Sequence, residues 1–377
     1  MRLKVLLLAA IFAISVMGFY SPAQAADGIT PYANIMTWAG WVQRDKDASG
    51  FAKSDTDYYQ SNFANAGTNM GIKGEKNGVQ VQIEFGVKDG YEAFRSRHAY
   101  ASYKMGEIGI LFGQTLAPWI ALDGADLRSG DAMARAGSCY DGWNNQIRVS
   151  FFGAYVTILN PGGNSAGDTD KQSTGTIGPK ANQDVVIPKI GAGYMFKMDA
   201  ISVAVNGVFQ QTKYDEQSTP SNLDGKALNA WLVNFIFKGQ FGPANLSAVA
   251  YYATNPGNMG FATYNSSSAV VAASGDKYEN TTVMGGRVGA GFKAGMAKFN
   301  VGVAYEKATN DYDTGGAGDY GTEGKDDYLV YFANVQLFLQ DNFYFAPTVK
   351  VEDAKKTTDG VKAGKTTYIG FACVASI

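Results

Sequence analysis

Val79-Gln80-Val81-Gln82-Ile83-Glu84-Phe85 sets Val79, Val81, Ile83 and Phe85 against Gln80, Gln82 and Glu84. Successive side chains of a strand point to opposite faces, so this period of two places one set against an apolar medium and the other against water. The same split recurs in 298–306, where Phe299, Val301, Val303 and Tyr305 oppose Lys298, Asn300, Gly302, Ala304 and Glu306, and again in 201–210 and 343–352.

Moving outward from these stretches, the connections alternate in length. Phe196-Lys197-Met198-Asp199, Phe237-Lys238-Gly239-Gln240, Phe292-Lys293-Ala294-Gly295 and Leu339-Gln340-Asp341-Asn342 are tight turns between alternating segments. The other connections, roughly 214–226, 255–278, 308–327 and 353–364, are long, polar and rich in Gly, Ser, Asp and Thr. Segments of this kind fall near 30–44, 66–75, 79–88, 92–105, 107–114, 145–152, 154–160, 186–198, 200–213, 226–238, 241–254, 279–294, 296–307, 327–339, 342–352 and 366–377. A membrane-crossing strand needs ~9–11 residues, and bacterial barrels of such strands have an even count. The reading is therefore all-β: a transmembrane antiparallel barrel of about sixteen strands, with fourteen and eighteen as the alternatives. A soluble sandwich predicts neither the long/short asymmetry nor aromatics beside the short turns, where an interfacial girdle belongs.

The N-terminus and composition agree. Arg2 and Lys4 precede an uncharged apolar run to Phe19, and Ala23-Gln24-Ala25 has the form of a cleavage site, so 1–25 reads as a secretory signal and 26–377 as the barrel domain. Removing 1–25 takes away two bases and no acid, leaving 30 basic against 34 acidic residues and a net charge of −4, too small for a nucleic-acid partner. Mean hydropathy is −0.14 because lipid-facing and water-facing residues average out. Two cysteines make no disulfide framework. Cys373 sits on the apolar parity of the last strand and Cys139 in a loop-like setting, so both are expected as free thiols, with Cys139 the more accessible.

One connection breaks the pattern. The stretch 114–145 lacks alternation, yet it is rich in Ala, Leu, Met and Trp for a solvated loop. A long connection of this kind is usually functional. It is expected to pack against the inside of the barrel.

Several motifs carry a resemblance. Asn69-Met70-Gly71-Ile72-Lys73-Gly74 followed by 79–85, Arg97-His98-Ala99-Tyr100-Ala101, Leu111-Phe112-Gly113-Gln114-Thr115-Leu116-Ala117-Pro118 and Asn145-Gln146-Ile147-Arg148 resemble, in order and spacing, the second to sixth strands of the Gram-negative general porins. That resemblance runs from about 30 to 152. It implies a sixteen-stranded outer-membrane barrel, a homotrimer, in contact with outer-membrane lipid and lipopolysaccharide. The implied function is passive diffusion of small hydrophilic solutes and ions, and the implied third loop folds inward to narrow the pore. Carried over by position, Arg97 and Arg148 match wall arginines of the constriction, Arg95 shares the face of Arg97, and Asp123, Asp126 and Asp131 are the loop acids. Strand parity agrees that the arginines point inward, since a charge on the lipid side at mid-bilayer costs ~2–4 kcal/mol. The same parity puts Ala99 and Ala101 inside with Arg97, and His98 and Tyr100 outside. Three departures are visible: Asn69 and Gln114 stand where the family often has arginines, and Ala375-Ser376-Ile377 replaces a terminal aromatic.

An enzyme needs an activated nucleophile beside a base, and the single histidine falls on the outward parity, so no catalysis is expected. No nucleotide loop, metal-ligand cluster or haem motif appears, and no cofactor is expected. A substrate-specific channel or an adhesin-like barrel is the alternative. The acidic stretch 311–327 reads as an ordinary outer loop.

Overall fold

The computed structural model describes residues 28–47, 56–62, 67–87, 94–121, 137–161, 183–214, 225–261, 270–271, 278–310, 325–356 and 364–377. Residues 1–25, expected to be a secretory signal, the acids Asp123, Asp126 and Asp131, and 311–324 of the acidic stretch lie outside the described residues.

Strand β1 (Ile29–Arg44) pairs with both segments of β2, Thr56–Asn62 and Asn69–Lys76. Next come β3 (Val79–Val87), β4 (Phe94–Met105), β5 (Ile108–Leu116), β6 (Trp143–Phe151), β7 (Ala154–Leu159) and β8 (Gln183–Met198). The second half holds β9 (Ile201–Tyr214), β10 (Ala227–Phe241), β11 (Ala244–Thr254), β12 (Thr281–Ala294), β13 (Ala297–Asn310), β14 (Lys325–Gln340), β15 (Phe343–Lys356) and β16 (Gly364–Ser376). Neighbours in sequence pair antiparallel throughout. The ring closes where β16 meets β1, from Asn34 opposite Ser376 to Arg44 opposite Thr366. With the two segments of β2 counted as one strand, the barrel has sixteen. Each segment expected from the alternation becomes one of them.

The pleat sorts residues as the sequence pattern requires. Val79, Val81, Ile83 and Phe85 are 38–46 % exposed on the outer wall, whereas Glu84 between them is 6 % exposed and faces inward. Each of the sixteen barrel strands has a partner on both sides among the described residues, which a bilayer demands because it offers no water to satisfy a free N–H or C=O. At Asn77-Gly78 the backbone turns through φ 53° and 79°, the left-handed pair that matches strand twist in a two-residue hairpin.

The lumen is not an empty tube. Trp119 and Cys139 from the 117–142 connection, with Met259 and Phe261 from beyond β11, form an apolar cluster against Leu159, Val208, Leu232, Tyr251 and Val283 of the wall. A short turn of 3-10 helix, Pro256–Met259, carries the second group inward, and Gln210 donates to the Asn258 carbonyl at 3.1 Å. Loop residues thus pack against one side of the wall.

Candidate functional site

The 114–145 connection folds inward, as its composition suggested. The Trp119 carbonyl accepts from Asn234 Nδ2 at 2.8 Å, and the Ala121 carbonyl accepts from the Arg287 guanidinium. On the return path, a Cβ on Gly137 would lie 2.5 Å from the Gly286 carbonyl, so the backbone passes hard against β12 and only glycine fits there. Starting from β5, this loop therefore reaches the wall formed by β10 and β12. Asp141 then forms an ion pair with Lys189 of β8 at 3.0 Å, both side chains fully buried. Burial drives the Asp141 carboxyl above its usual range even with Lys189 pulling it down. This loop acid meets a wall base, but neither belongs to the set read from the sequence; a lone Asp-Gly in a loop carries no signal of its distant partner.

On the opposite wall lie the arginines. Arg97 Nε is 2.9 Å from Glu84 Oε1 on the adjacent strand β3. Glu84 Oε2 accepts from the Tyr32 hydroxyl at 2.7 Å, Gln82 Nε2 donates to that hydroxyl at 2.7 Å, and the Tyr100 hydroxyl donates to Gln82 Oε1 at 2.9 Å. Arg95 and Arg97 each hold their guanidinium carbon 4.6 Å from the centroid of the Trp143 ring. Gly86 leaves room for this, since a Cβ there would meet the Arg97 stem at 2.3 Å. Arg148 differs: its guanidinium donates to Gln146 Oε1 at 2.7 Å and to the Leu116 carbonyl at 3.1 Å, and no carboxylate pairs with it among the described residues.

Two readings of strand parity are corrected here. Glu84 pairs with His98 and Phe85 with Ser96, so Arg97 is the extra residue of a β-bulge. The bulge turns Arg97 and His98 to the same side and inverts the parity beyond. Tyr100 accordingly faces the lumen and Ala99 the lipid. His98 Nδ1 lies 2.8 Å from Thr115 Oγ1 and its Nε2 4.0 Å from Glu84, inside the barrel rather than outside it. Nothing in a period-two pattern announces a one-residue insertion.

The thiols also need a correction. Both are free, as expected. Cys139, however, is buried among apolar side chains, and burial pushes its thiol up to about 12. The default girdle reading of tryptophans holds for Trp41, 60 % exposed against Tyr59, and for Trp231 beside Tyr252. Trp119 and Trp143 lie inside, as expected of the 114–145 connection, and Trp38 on β1 is also buried.

No protein-family model matches the sequence, and no curated protein matches it. Solved structures do. The outer membrane channel DcaP of Acinetobacter baumannii superposes with a TM-score of 0.68 over 94 % of this chain and 98 % of that one, at 16 % identity. An anion-selective porin from Comamonas acidovorans gives 0.58 over 93 % and 99 %, at 15 % identity. OmpF of Salmonella typhi, in complex with daunomycin, gives 0.57 over 93 % and 97 %, at 15 % identity. The fold is that of the outer-membrane porins. Within that fold the described ends of the connection between β5 and β6 fold inward, and Arg97 and Arg148 face the lumen from the wall across from the apolar cluster.

Proposed function

We propose that this chain is a porin of the Gram-negative outer membrane: a water-filled channel for passive diffusion of small hydrophilic solutes and ions. In this reading 1–25 directs export, and the barrel assembles as a homotrimer among outer-membrane lipid and lipopolysaccharide. The division of the lumen carries the proposal. Loop segments fill one side of a closed sixteen-stranded barrel, and the other side is lined by Tyr32, Gln82, Glu84, Arg97, Tyr100 and Arg148. The constriction is then formed by Arg95, Arg97 and Arg148 on the wall and Asp123, Asp126 and Asp131 on the loop. Opposed charges across a narrow opening give a transverse field that orders water and dipolar solutes and penalises apolar ones. One structural neighbour, OmpT of Vibrio cholerae at 12 % identity and a TM-score of 0.54, is a trimer form.

Catalysis has a weaker basis than transport. With His98 inside the barrel, Thr115, His98 and Glu84 form a row that looks like a hydroxyl, a base and an orienting acid. Yet His98 Nε2 is 4.0 Å from Glu84, beyond a hydrogen bond, and Glu84 is engaged by Arg97 and Tyr32. The Thr115 hydroxyl is buried.

The test is reconstitution of the refolded protein in planar bilayers. Stepwise conductance that scales with bulk salt is the expected result; a folded barrel that conducts no ions overturns the proposal. Neutralising Asp123, Asp126 and Asp131 together should move reversal potentials toward anion preference. Unchanged potentials would place those acids outside the constriction.

A further inference from the structure

One level of the lumen wall, toward the short turns and away from the apolar cluster, carries opposite charges at its two ends. The register joins Glu75 of β2, Gln80 of β3, Ser102 of β4, Leu111 of β5 and Arg148 of β6 into a single rung. Successive strands lie ~4.8 Å apart, so the arc from Glu75 across to Arg148 is about 19 Å. Both residues line one cavity of about 460 Å³, a volume within the range of small-ligand sites.

Each pole keeps bonding capacity. Arg148 is held through Nε and Nη2 by Gln146 Oε1 and the Leu116 carbonyl, and its Nη1 makes no hydrogen bond among the described residues. A guanidinium fixed in this way is already ordered for a further acceptor, and a carboxylate is the acceptor its fork suits best. Glu75 Oε2 accepts from Gln80 Nε2 at 2.9 Å, while Oε1 takes no bond among the described residues. Between the poles the cavity offers the hydroxyls of Ser102 and Ser150 and an apolar floor at Leu111. Gly109 keeps that floor low, since a Cβ there would lie 2.6 Å from Ser150 Oγ. The other charged residues of the cavity, Lys104 and Glu107, lie nearer the turn and balance each other in sign. The recess is therefore neutral as a whole, with one basic and one acidic end.

A simple anion or a simple cation gains from one end only. A zwitterion gains from both, provided that its charges are far enough apart. A free amino acid carries its two charges on one carbon, whereas each residue of an extended chain adds ~3.5 Å. Two or three residues, with the long side chains of Glu75 and Arg148 taking up the rest of the arc, close the distance.

We propose that this recess binds short zwitterionic peptides, with the amino terminus at Glu75 and the carboxyl terminus at Arg148. It deepens the channel reading and rests on it for its use in transport, as a stopping place for peptides on the short-turn side of the constriction. Binding itself does not require that the barrel conduct.

Full-length protein refolded in detergent tests the site by saturation-transfer nuclear magnetic resonance with three probes: trialanine, its N-acetylated form and its C-terminal amide. The parent should bind free trialanine about tenfold more tightly than either blocked form, the scale of one hydrogen bond to a charged group. Glu75→Gln should weaken trialanine and the amide and leave the acetylated peptide unchanged; Arg148→Gln should weaken trialanine and the acetylated peptide and leave the amide unchanged. Lys298→Gln, on the far wall, should bind all three as the parent does. Equal binding of the three peptides by the parent overturns the site, as does a loss in K298Q as large as that in E75Q. If R148Q fails to fold, judged by its far-ultraviolet circular dichroism, E75Q and E75K carry the same test, since both should abolish the preference for trialanine over its acetylated form. Peptide binding with no stepwise conductance in bilayers would retain the site and reject the channel; conductance with no peptide binding would do the reverse.

Discussion

The two sides of the lumen use one kind of wall and end in opposite states. Against β8–β13, loop residues bring Trp119, Cys139, Met259 and Phe261 onto Val208, Leu232, Tyr251 and Val283, and the loop carboxylate of Asp141 is matched by Lys189. Against β2–β6, the wall carries Glu84, Arg95, Arg97, His98 and Arg148, and their partners come mostly from neighbouring strands and from the two ends of the loop. Burial of apolar side chains is worth ~1.5–3 kcal/mol each, so the first side closes wherever a loop supplies them. Several charges kept near water at a desolvation cost do not close in the same way. Among the described residues, apolar loop packing is found on the first side.

The largest expected effect comes from breaking the filled side at its buried ion pair. Lys189→Met leaves Asp141 charged and unpaired in an apolar setting, and removing one partner of such a pair costs about 3–5 kcal/mol. Urea unfolding of the refolded protein should show this loss, and single-channel records should become noisy as the loop loosens. Adding Asp141→Leu should recover most of the stability. If the single variant is as stable as the parent, the loop is not anchored there.

Next comes Trp143, which holds two guanidiniums on the open side. Each cation–π contact is worth ~0.5–2 kcal/mol, so Trp143→Ala should destabilise the protein by about 1–4 kcal/mol at most and let Arg95 and Arg97 move. Greater open-channel noise with little change in mean selectivity is the expected reading in bilayers.

A finer division follows within the arginines. Arg97 is offset by Glu84 and Arg148 is not, so Arg148→Ala should shift reversal potentials toward cation preference more than Arg97→Ala. The double variant should raise conductance as well. Raising salt toward molar levels, where the screening length is ~3 Å, should shrink the shifts. Equal shifts from the two single variants would show that Glu84 does not neutralise its neighbour.

The smallest effect expected is no reaction at all. A folded-state thiol pushed up to about 12 from an ordinary 9.0 stays protonated at neutral pH, so Cys139 should resist maleimide until the protein unfolds. Because the folded form holds this proton more tightly, its contribution is constant below pH 9, and stability falls as pH rises from about 9 toward 12. Rapid labelling of Cys139 in the folded barrel would show that the filled side is open to water.

The wall was legible because strand periodicity is local. A bilayer outside and water inside demand opposite residues at adjacent positions, and sixteen segments satisfy that demand without reference to one another; the composition of 114–145 marked it as a segment that packs. Three features were not legible. The bulge at Arg97 changes parity by one residue and leaves no compositional trace, so Tyr100 and His98 were assigned to the wrong face. Glu84 was seen as inward but not as the partner of Arg97, because ion pairing depends on which strands are neighbours and in what register. Cys139 read as the more accessible thiol and Asp141 carried no expectation of its own, and only the fold places them against β8, β10 and β12. Periodicity in the chain thus fixed which face each regular strand shows to lipid, through the free energy of single residues in two media. Pairing across the barrel decided which charges meet and against which strands the described loop residues pack, through contacts between residues distant in sequence.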